Sequence, residues 1–490
     1  MRLVRLTVVA IVLVTGATAS AATLTMTDLF DHVRSTHPLF SKEARSVEVL
    51  AAQKDAYAGA QDWQVAIGPR LSYAEPLSAS PFAPDRVYGY DLGASVGRLY
   101  WSSGARVSAS YSTQYQRQEF GGATEIRLPT PSGDVQTVSL VGPADFFSRT
   151  LSVAFIQPLL KNAKGVLDRL EFEQQDFQIK ARQLQSVETE EAFLAYIGAL
   201  FVQWKQIEEQ QRIMATRVDV ARESLELVKK RRAAFLADEV DVLRGEDWVQ
   251  QARQLVVQAD LAANAVRERL AAATIWPELR ERSPAFDLYE RHAVDSGDAA
   301  IDSILEKSRT LAFIRTTGDQ LTHRLKALRN ELLADLDVAV GAGIGDGDRN
   351  YVDSWGMDQP NLYAAISLRY PLGRRTAKAK VRAAEIALAQ IQDELADAQS
   401  RLRAELADVA IQLRRYQEVL ELTTAQLATA RSKTVEELKM YQQGRNSLAF
   451  VIQSRDGEYA TELRYAELMA SYQQLYLRYR ELSDQLFTLE

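Results

Sequence analysis

The feature that most constrains this chain is the length of its uninterrupted helical patterns. After Pro371, ten apolar residues recur at steps of three and four, with a mean spacing of about 3.56. They are Leu388, Ile391, Leu395, Ala398, Leu402, Leu406, Val409, Leu413, Tyr416 and Leu420. This spacing lies between that of a supercoiled heptad and that of a straight helix, so it favours long helices packed almost parallel. The tract from Gly373 to Gln443 would span roughly 107 Å, far beyond the helices of globular domains.

The chain also repeats a plan of helix, strands, long helix, turn and long helix. Pro158 and Pro371 each follow a predicted strand, where proline can start a helix but cannot donate to a sheet ladder. Their offset is 371 − 158 = 213 residues. The turn stretches at Asp238 and Gly444 have a similar offset, 444 − 238 = 206. This agreement predicts two structural repeats.

The first repeat is expected at 22–285, with strands at about 64–75, 88–118 and 146–157 and long helices at about 162–236 and 240–275. The second is expected at 286–490, with strands at about 336–345 and 361–370 and long helices at about 374–443 and 447–487. Shorter helices are expected from 27 to about 62, with a bend at His37-Pro38, and from about Ala299 to Ala334.

Each strand segment alternates apolar residues with small or polar ones, which places one kind of side chain on each face of a sheet. A barrel in lipid with a wet lumen requires this pattern. A soluble sheet with one face on a core requires it equally. The barrel is favoured because each strand pair lies between helices too long for a compact domain. On that view Arg70, Asp337 and Arg369 are candidate lumen-facing charges.

Between residues 76 and 147 there is room for two strands beyond one pair per repeat. We expect a hairpin that turns at Tyr100-Trp101-Ser102-Ser103-Gly104 and extends the sheet of the first repeat. Residues 119–145 would then form an extracellular loop. Several aromatic residues are either an interfacial girdle or ordinary strand residues: Tyr88, Tyr90, Tyr100, Trp101, Tyr111 and Tyr115.

Residues 1–21 are expected to be a secretory signal peptide, because Arg2 and Arg5 precede an apolar run and small residues follow it. The run is too short to span a membrane. The sequence contains no cysteine, which excludes disulfides, thiolate metal sites and a lipoprotein anchor. Its formal net charge of −7 argues against nucleic acid as the main partner.

Catalytic, cofactor and metal motifs are absent from the sequence. The four histidines lack metal-binding spacing and are expected to pack or lie on the surface: His32, His37, His292 and His323. The glycine-rich segment 341–347 has aspartates where a phosphate loop needs glycine. Asp346 and Asp348 imitate the start of a calcium loop, but Tyr351 and Met357 replace its required glycine and glutamate. We therefore expect no enzyme activity, no cofactor and no resident metal, and only a loosely held divalent ion in that loop stays open.

Taken in order, these features resemble the TolC-like outer-membrane efflux proteins over essentially the whole chain after residue 21. The resemblance rests on the duplicated helix–strand–strand–helix plan and on four short stretches. They are Gln157-Pro158-Leu159, Tyr370-Pro371-Leu372, Asp238-Glu239-Val240-Asp241-Val242-Leu243 and Tyr441-Gln442-Gln443-Gly444. It implies a mainly α fold with membrane β-barrel strands, in which a long periplasmic α-helical tunnel joins a trimeric β-barrel.

The resemblance also implies a function. The chain would be the outer-membrane channel of a tripartite efflux or type I secretion system in a Gram-negative bacterium, with a large periplasmic portion. Its partners would be two further copies of itself, outer-membrane lipid, a periplasmic adaptor protein and an inner-membrane transporter, and no nucleic acid.

Family members narrow at the periplasmic end to a gate held by charged residues beside the second turn. Aligned on Tyr441 and Gly444, the two constriction aspartates fall on Phe450 and Gln453, and the latch arginine falls on Asn446. All three positions depart from the family pattern. Phe450 from three subunits would then either close the pore as an apolar ring or face a neighbouring helix as core. The negative charge would come from the first turn: Asp238, Glu239 and Asp241, of which Asp241 matches a family position.

Two other function classes stay open. A periplasmic coiled-coil adaptor or scaffold would explain the helices without a barrel, but an adaptor would carry a single central hairpin, whereas strands are predicted here in both halves. An envelope enzyme lacks the nucleophile and metal motifs that it would need.

Overall fold

The structure is a computed structural model that describes residues 23–77, 83–120, 125–129, 133–139, 144–294 and 297–488. The expected signal peptide lies outside the described residues. Contacts divide the chain into two compact units. The sheet unit comprises residues 46–183 and 313–395, and the helical unit comprises 1–45, 184–312 and 396–490.

The strands are β1 Thr23–Leu24, β2 Gln64–Ala74, β3 Arg86–Tyr100, β4 Ala105–Glu119, β5 Glu125–Pro129, β6 Val135–Ser139, β7 Ala144–Pro158, β8 Ser283–Pro284, β9 Asp335–Asp348 and β10 Gln359–Arg369. The helices are α1 Met26–Thr36, α2 Pro38–Ala58, α3 Leu170–Ala233, α4 Glu239–Thr274, α5 Asp298–Lys307, α6 Arg309–Asn330, α7 Arg375–Gln442 and α8 Leu448–Leu482. At 68 residues, α7 is roughly 100 Å long.

Six strands of the sheet unit form one sheet in the order β10-β9-β7-β4-β3-β2, and every neighbouring pair is antiparallel. The additional hairpin expected between residues 76 and 147 is confirmed. β3 and β4 pair from Arg86 opposite Glu119 to Tyr100 opposite Ala105, and both lie inside the sheet. The segment expected as a plain loop at 119–145 contains a further two-stranded ribbon, β5 with β6.

The pairing register gives the sheet two chemically distinct faces, because directly opposed residues point to the same side. The apolar face includes Val65, Ile67, Leu71, Val96, Val107, Leu151, Val153, Phe155, Val340, Ile344, Leu362 and Ile366. The polar face includes Ala66, Gly68, Arg70, Asp91, Ser95, Ser110, Ser112, Thr150, Ser152, Gly343 and Ala365. The alternation expected from the sequence is therefore confirmed, and it stays in phase across all six strands.

The expectation that Pro158 opens a helix is wrong. β7 continues through Pro158, and the backbone N–H of Leu159 donates to the carbonyl of Leu336 at 2.8 Å, which continues the pairing toward β9. The helix α3 starts only at residue 170. The intervening segment contains Asn162 and Gly165 at φ of 61° and 63°, and such left-handed backbone cannot be part of an α-helix.

The single helix expected from Ala299 to Ala334 is also wrong, because the chain breaks at Ser308. The backbone of Ser308 is non-helical, at φ −54° and ψ 125°. The break frees the N–H of Arg309, which donates to the Asp484 carboxylate at 2.8 Å. The bend expected at His37-Pro38 is confirmed by the break between α1 and α2.

The largest core of the helical unit lies where α1 packs with α3 and α4. Its buried members include Leu29, Phe30, Leu194, Ile197, Phe201, Trp204, Leu270 and Leu279. Among the described residues, no helix combines the length and the apolar character needed to cross a membrane.

Candidate functional site

The two turns that join the long helices lie side by side in the helical unit. Residues 234–238 join α3 to α4, and residues 443–447 join α7 to α8; together they are called the double turn. One small core lies beneath both turns: Val228, Val242, Tyr441, Leu448 and Val451. The guanidinium of Arg231 donates to the carbonyl of Gln442 at 3.1 Å and so links the two turns directly. The candidate gate residues of both turns are therefore brought together.

Tyr441 is part of this small core. Its side chain is 3% exposed, and the guanidinium of Arg231 lies 4.7 Å from the centre of its ring. The hydroxyl is buried and has no hydrogen-bond partner among the described residues. Burial raises the pKa of Tyr441, and Asp241 adds to that effect while Arg231 opposes it. Within one chain, the ring stabilises the packing and the hydroxyl adds nothing to it.

The acidic residues of the first turn are largely paired with arginine. Asp238 is exposed at the N-cap of α4, where its side chain makes no capping hydrogen bond. Glu239 forms an ion pair with Arg232. Asp241 accepts from Arg244 at 3.2 Å, one helical turn away. The net negative potential expected at this turn is thus reduced by neighbouring guanidinium groups.

The residues of the second turn differ in exposure. Asn446 donates to Glu437 and accepts from the N–H of Ser447 at 2.8 Å, so its side chain is used within the turn. Phe450, two residues into α8, is 53% exposed. Gln453, one helical turn further on, is also exposed. The described residues of its own chain leave more than half of the Phe450 side chain uncovered, so its ring is available to another molecule.

An apolar patch on the first turn was missed by the sequence reasoning. Phe235 is 96% exposed, and Leu236, Val240 and Leu243 are each more than half exposed. The signal was present: apolar residues occupy a turn, where polar residues are the rule. The pattern was hidden because the same residues extend the apolar periodicity of the flanking helices.

The three candidate barrel charges all lie on the polar face of the sheet but not together. Arg70, on β2, is directly opposite Asp91 of β3. Arg369 is opposite Asp335, and Asp337 is its near neighbour on β9. Asp337 and Arg369 line a cavity of about 400 Å³ in the sheet unit together with Arg106, Lys161, Asp168 and Asp335. Lys161 approaches Asp335 to 3.8 Å, and Arg106 approaches Asp168 to 3.9 Å.

Aromatic side chains form a row across the strand ends farthest from the helices. Tyr73 contacts Tyr88 at 5.2 Å between ring centres, and Tyr115 contacts Phe147 at 4.7 Å. Phe147 in turn meets Tyr351 at 5.5 Å. Of the predicted girdle, Tyr88, Tyr90, Tyr111 and Tyr115 belong to the apolar face. Trp101 is instead buried beside Phe172 at 5.0 Å.

One carboxylate cluster among the described residues has the spacing of a metal site: Glu188, Glu191 and Asp484. Arg309 pairs with all three, with separations of 3.1 Å to Glu188 and 3.2 Å to Asp484 and a contact with Glu191. The charge of Arg309 therefore offsets part of the negative charge of this cluster.

The calcium-like stretch has a different structure from a calcium loop. Asp346 and Asp348 belong to strand β9, and their carboxylates accept from the N–H groups of Gly347 and Asn350 at 2.7 Å each. The histidines are packing residues, as expected: each ring stacks or tilts against an aromatic neighbour within 5.7 Å.

No model of a known protein family matches the sequence, and no curated protein matches it. Solved structures match over 94% of this chain. The outer membrane protein VceC from Vibrio cholerae is 12% identical, with 95% of its chain covered and a TM-score of 0.62. CusC is 11% identical, with 91% covered and a TM-score of 0.65. The MtrE outer membrane channel from Neisseria gonorrhoeae is 12% identical, with 89% covered and a TM-score of 0.63.

The chain has the TolC-like fold. In each half of this chain a helix leads through strands of the sheet to a long helix. This fold agrees with the architecture that the resemblance implied, a helical tunnel with a β-barrel. The sheet of the described residues is open and has six strands.

Proposed function

We propose that this chain is a subunit of an outer-membrane exit duct that passes substrates from the periplasm to the exterior. The observation that supports this most is the sheet, whose one apolar face runs in phase across six strands of 11–15 residues. Strands of about 9–11 residues suffice to cross a bilayer when tilted. A small, polar opposite face suits a water-filled lumen. The likeness to outer-membrane channels adds to the same conclusion.

The proposed duct is a homotrimer that works with a periplasmic adaptor protein and an inner-membrane transporter, in a tripartite efflux or type I secretion system. A single six-stranded sheet leaves two strand edges unpaired, and lipid does not tolerate unpaired backbone groups. Further copies of the chain satisfy these edges. The long helices would then extend into the periplasm.

Phe450 is the residue we propose for the periplasmic gate. Its exposed ring is available to the equivalent rings of two other copies, and an apolar constriction can close a pore by excluding water. Asn446 and Gln453 are uncharged, so they contribute no charge to this closure. Asp238, Glu239 and Asp241 would surround the gate, where Arg232 and Arg244 offset part of their negative charge.

The test is single-channel conductance of the purified protein in planar bilayers. Phe450→Ala should raise the conductance several-fold, because the narrowest apolar ring is removed. Gln453→Ala is the matched control one turn further along α8, and it should leave conductance unchanged. Trimers of both variants must first be verified by native mass measurement in detergent. Pores that never open in any variant would refute the duct, and unchanged conductance in Phe450→Ala would remove this residue from the gate.

A further inference from the structure

The two outermost strands of the six-stranded sheet are its most exposed part. Every residue of β2 and of β10 is exposed. On the apolar face, Val65, Ile67, Leu71, Leu362, Ile366 and Leu368 are 67–81% exposed. Aliphatic side chains on the same face of the inner strands are at most 49% exposed. The difference is the area that one more neighbouring strand would cover.

The two edges are complementary to each other. β2 and β10 each contain 11 residues. They run in opposite directions, because five antiparallel pairings separate them in the order β10-β9-β7-β4-β3-β2. A β2 strand laid beside the β10 of another copy therefore continues the antiparallel pattern, with both apolar faces on the same side. Each edge also contains one proline, Pro69 or Pro360, so one position in each strand lacks a donor.

Pairing of like edges is less suitable. In this chain the helical segments adjoin the start of β2 and β9 and the end of β7 and β10, so all of them leave the sheet at one end. Antiparallel pairing of β2 with a second β2 would put the helices of two copies at opposite ends. Pairing of β2 with β10 keeps them at one end and repeats head to tail, an arrangement that can close into a ring.

We propose that β2 of each copy pairs with β10 of the next, and that three copies close one barrel of 18 strands (three times six). The number of copies rests on the proposed function. One strand pair per repeat would give four strands per chain and 12 in the trimer, so the β3–β4 hairpin adds half again as many. Barrel diameter grows about linearly with strand number. The lumen is therefore about 1.5-fold wider than the duplicated plan alone provides.

The absence of cysteine from the sequence makes disulfide cross-linking a clean test. Leu71→Cys is combined in turn with Leu362→Cys, Ala364→Cys, Ile366→Cys and Leu368→Cys, which scans the register on one face of β10. At least one double variant should give a covalent trimer after mild oxidation of the full-length protein in detergent. Leu71→Cys with Leu151→Cys, on inner strand β7, is the matched control and should stay uncross-linked. Each single variant serves as a second control.

Several results would overturn the proposal. Cross-linking by Leu71→Cys alone would mean that like edges pair with each other. Disulfides that form only within one chain would contradict pairing between copies. Covalent rings of any size other than three would contradict the trimer. Pore formation without any cross-link between β2 and β10 would also refute the edge pairing while the duct stands. Covalent trimers without any pore would refute the duct and leave the edge pairing intact.

The width is tested by deleting the hairpin, residues 86–119. The remaining strands keep their antiparallel order, because β2 and β7 also run in opposite directions. Poly(ethylene glycol)s of graded size, added from the outer side of a bilayer, should then be excluded at a diameter about one-third smaller. An unchanged cut-off in an intact trimer would overturn the 18-stranded barrel. If the deletion variant does not assemble, the cross-linking result alone decides whether β2 pairs with β10 in a closed trimer.

Discussion

Arg309 shows how one residue holds several elements of the helical unit together. It lies at the start of α6, and its guanidinium pairs with Glu188 and Glu191 of α3 and with Asp484 beyond α8. Glu191 is 1% exposed, and it also accepts from the N–H of Leu486 at 2.9 Å. Burial raises the pKa of Glu188, and Asp484 adds to that effect while Arg309 opposes it.

Arg309→Met should therefore destabilise the protein strongly near neutral pH. Three carboxylates within 4.8 Å of one another would lose their cation, at a cost of roughly 3–5 kcal/mol. Loss of Arg309 removes the charge that opposes the rise in the pKa of Glu188, so the folded variant should bind more protons than the unfolded chain as pH falls. The deficit in thermal midpoint should thus shrink between about pH 8 and about pH 5.

The control for this prediction is Arg403→Met. Arg403 pairs with Asp302, and both side chains are about half exposed, at 47% and 59%. Its loss should change stability by less than about 1 kcal/mol at any pH. A deficit in Arg309→Met that is the same at every pH would contradict the proposed charge mechanism.

At the residue scale, the sequence predicted on which face of the sheet a residue lies better than it predicted which residue lies opposite it. Alternation alone assigned Arg70, Asp337 and Arg369 to one side of the strands, and the register agrees. That Arg70 is opposite Asp91 depends on strand pairing between segments of the chain, which alternation does not encode. The exposure of Phe450 was likewise open, because a helical apolar residue looks the same whether it packs inside or projects outward.

At the element scale, the junction between β7 and α3 determines how the additional hairpin is held. Its turn ends at Gly104, with φ of 72°, and packs against the segment that contains Gly165, with φ of 63°. A Cβ on Gly165 would overlap the carbonyl oxygen of Trp101. Backbone therefore lies directly on backbone at this point, which only glycine permits.

Gly165→Ala should cost far more than Gly444→Ala. Both glycines have positive φ, which penalises alanine by roughly 1–2 kcal/mol. Around Gly444 there is open space, whereas at Gly165 the backbone of the hairpin turn must move, which adds about 1–3 kcal/mol. Thermal unfolding of the two variants in detergent measures the difference. Equal midpoints would show that the turn is not packed as described.

The long helices were predictable from the sequence because their apolar periodicity persists over many turns. The ends of elements were less predictable. Pro158 obeys the local rule that proline begins a helix, yet the strand pairing with β9 continues past it and postpones the helix to Leu170. The break at Ser308 similarly depends on Asp484, which is 176 residues away in sequence (484 − 308). Tertiary contacts of this kind leave no mark on local pattern.

At the scale of the whole molecule, two properties of the sheet, its exposed apolar face and its unpaired edges, support the proposed assembly in a membrane. Its apolar face is partly exposed in one chain: aliphatic residues on it include Leu151, Val153, Val340 and Ile344 of the inner strands at 41–49% exposure, and those of the edge strands reach 67–81%. Its edges are unpaired. Copies that join edge to edge in a membrane would place the apolar face against lipid and pair the strand edges. We therefore expect the purified protein to migrate as a trimer when unheated and as a monomer after boiling.

Paired substitutions on β10 test which face meets the lipid. Ile366 is on the apolar face and 75% exposed, and its neighbour Ala365 is on the polar face. A lysine facing the middle of the bilayer costs about 2–4 kcal/mol, and one facing a wet lumen costs little. Ile366→Lys should therefore lower the temperature at which the unboiled trimer dissociates, whereas Ala365→Lys should leave it nearly unchanged. Equal effects, or the reverse order, would mean that the apolar face is covered by protein rather than by lipid.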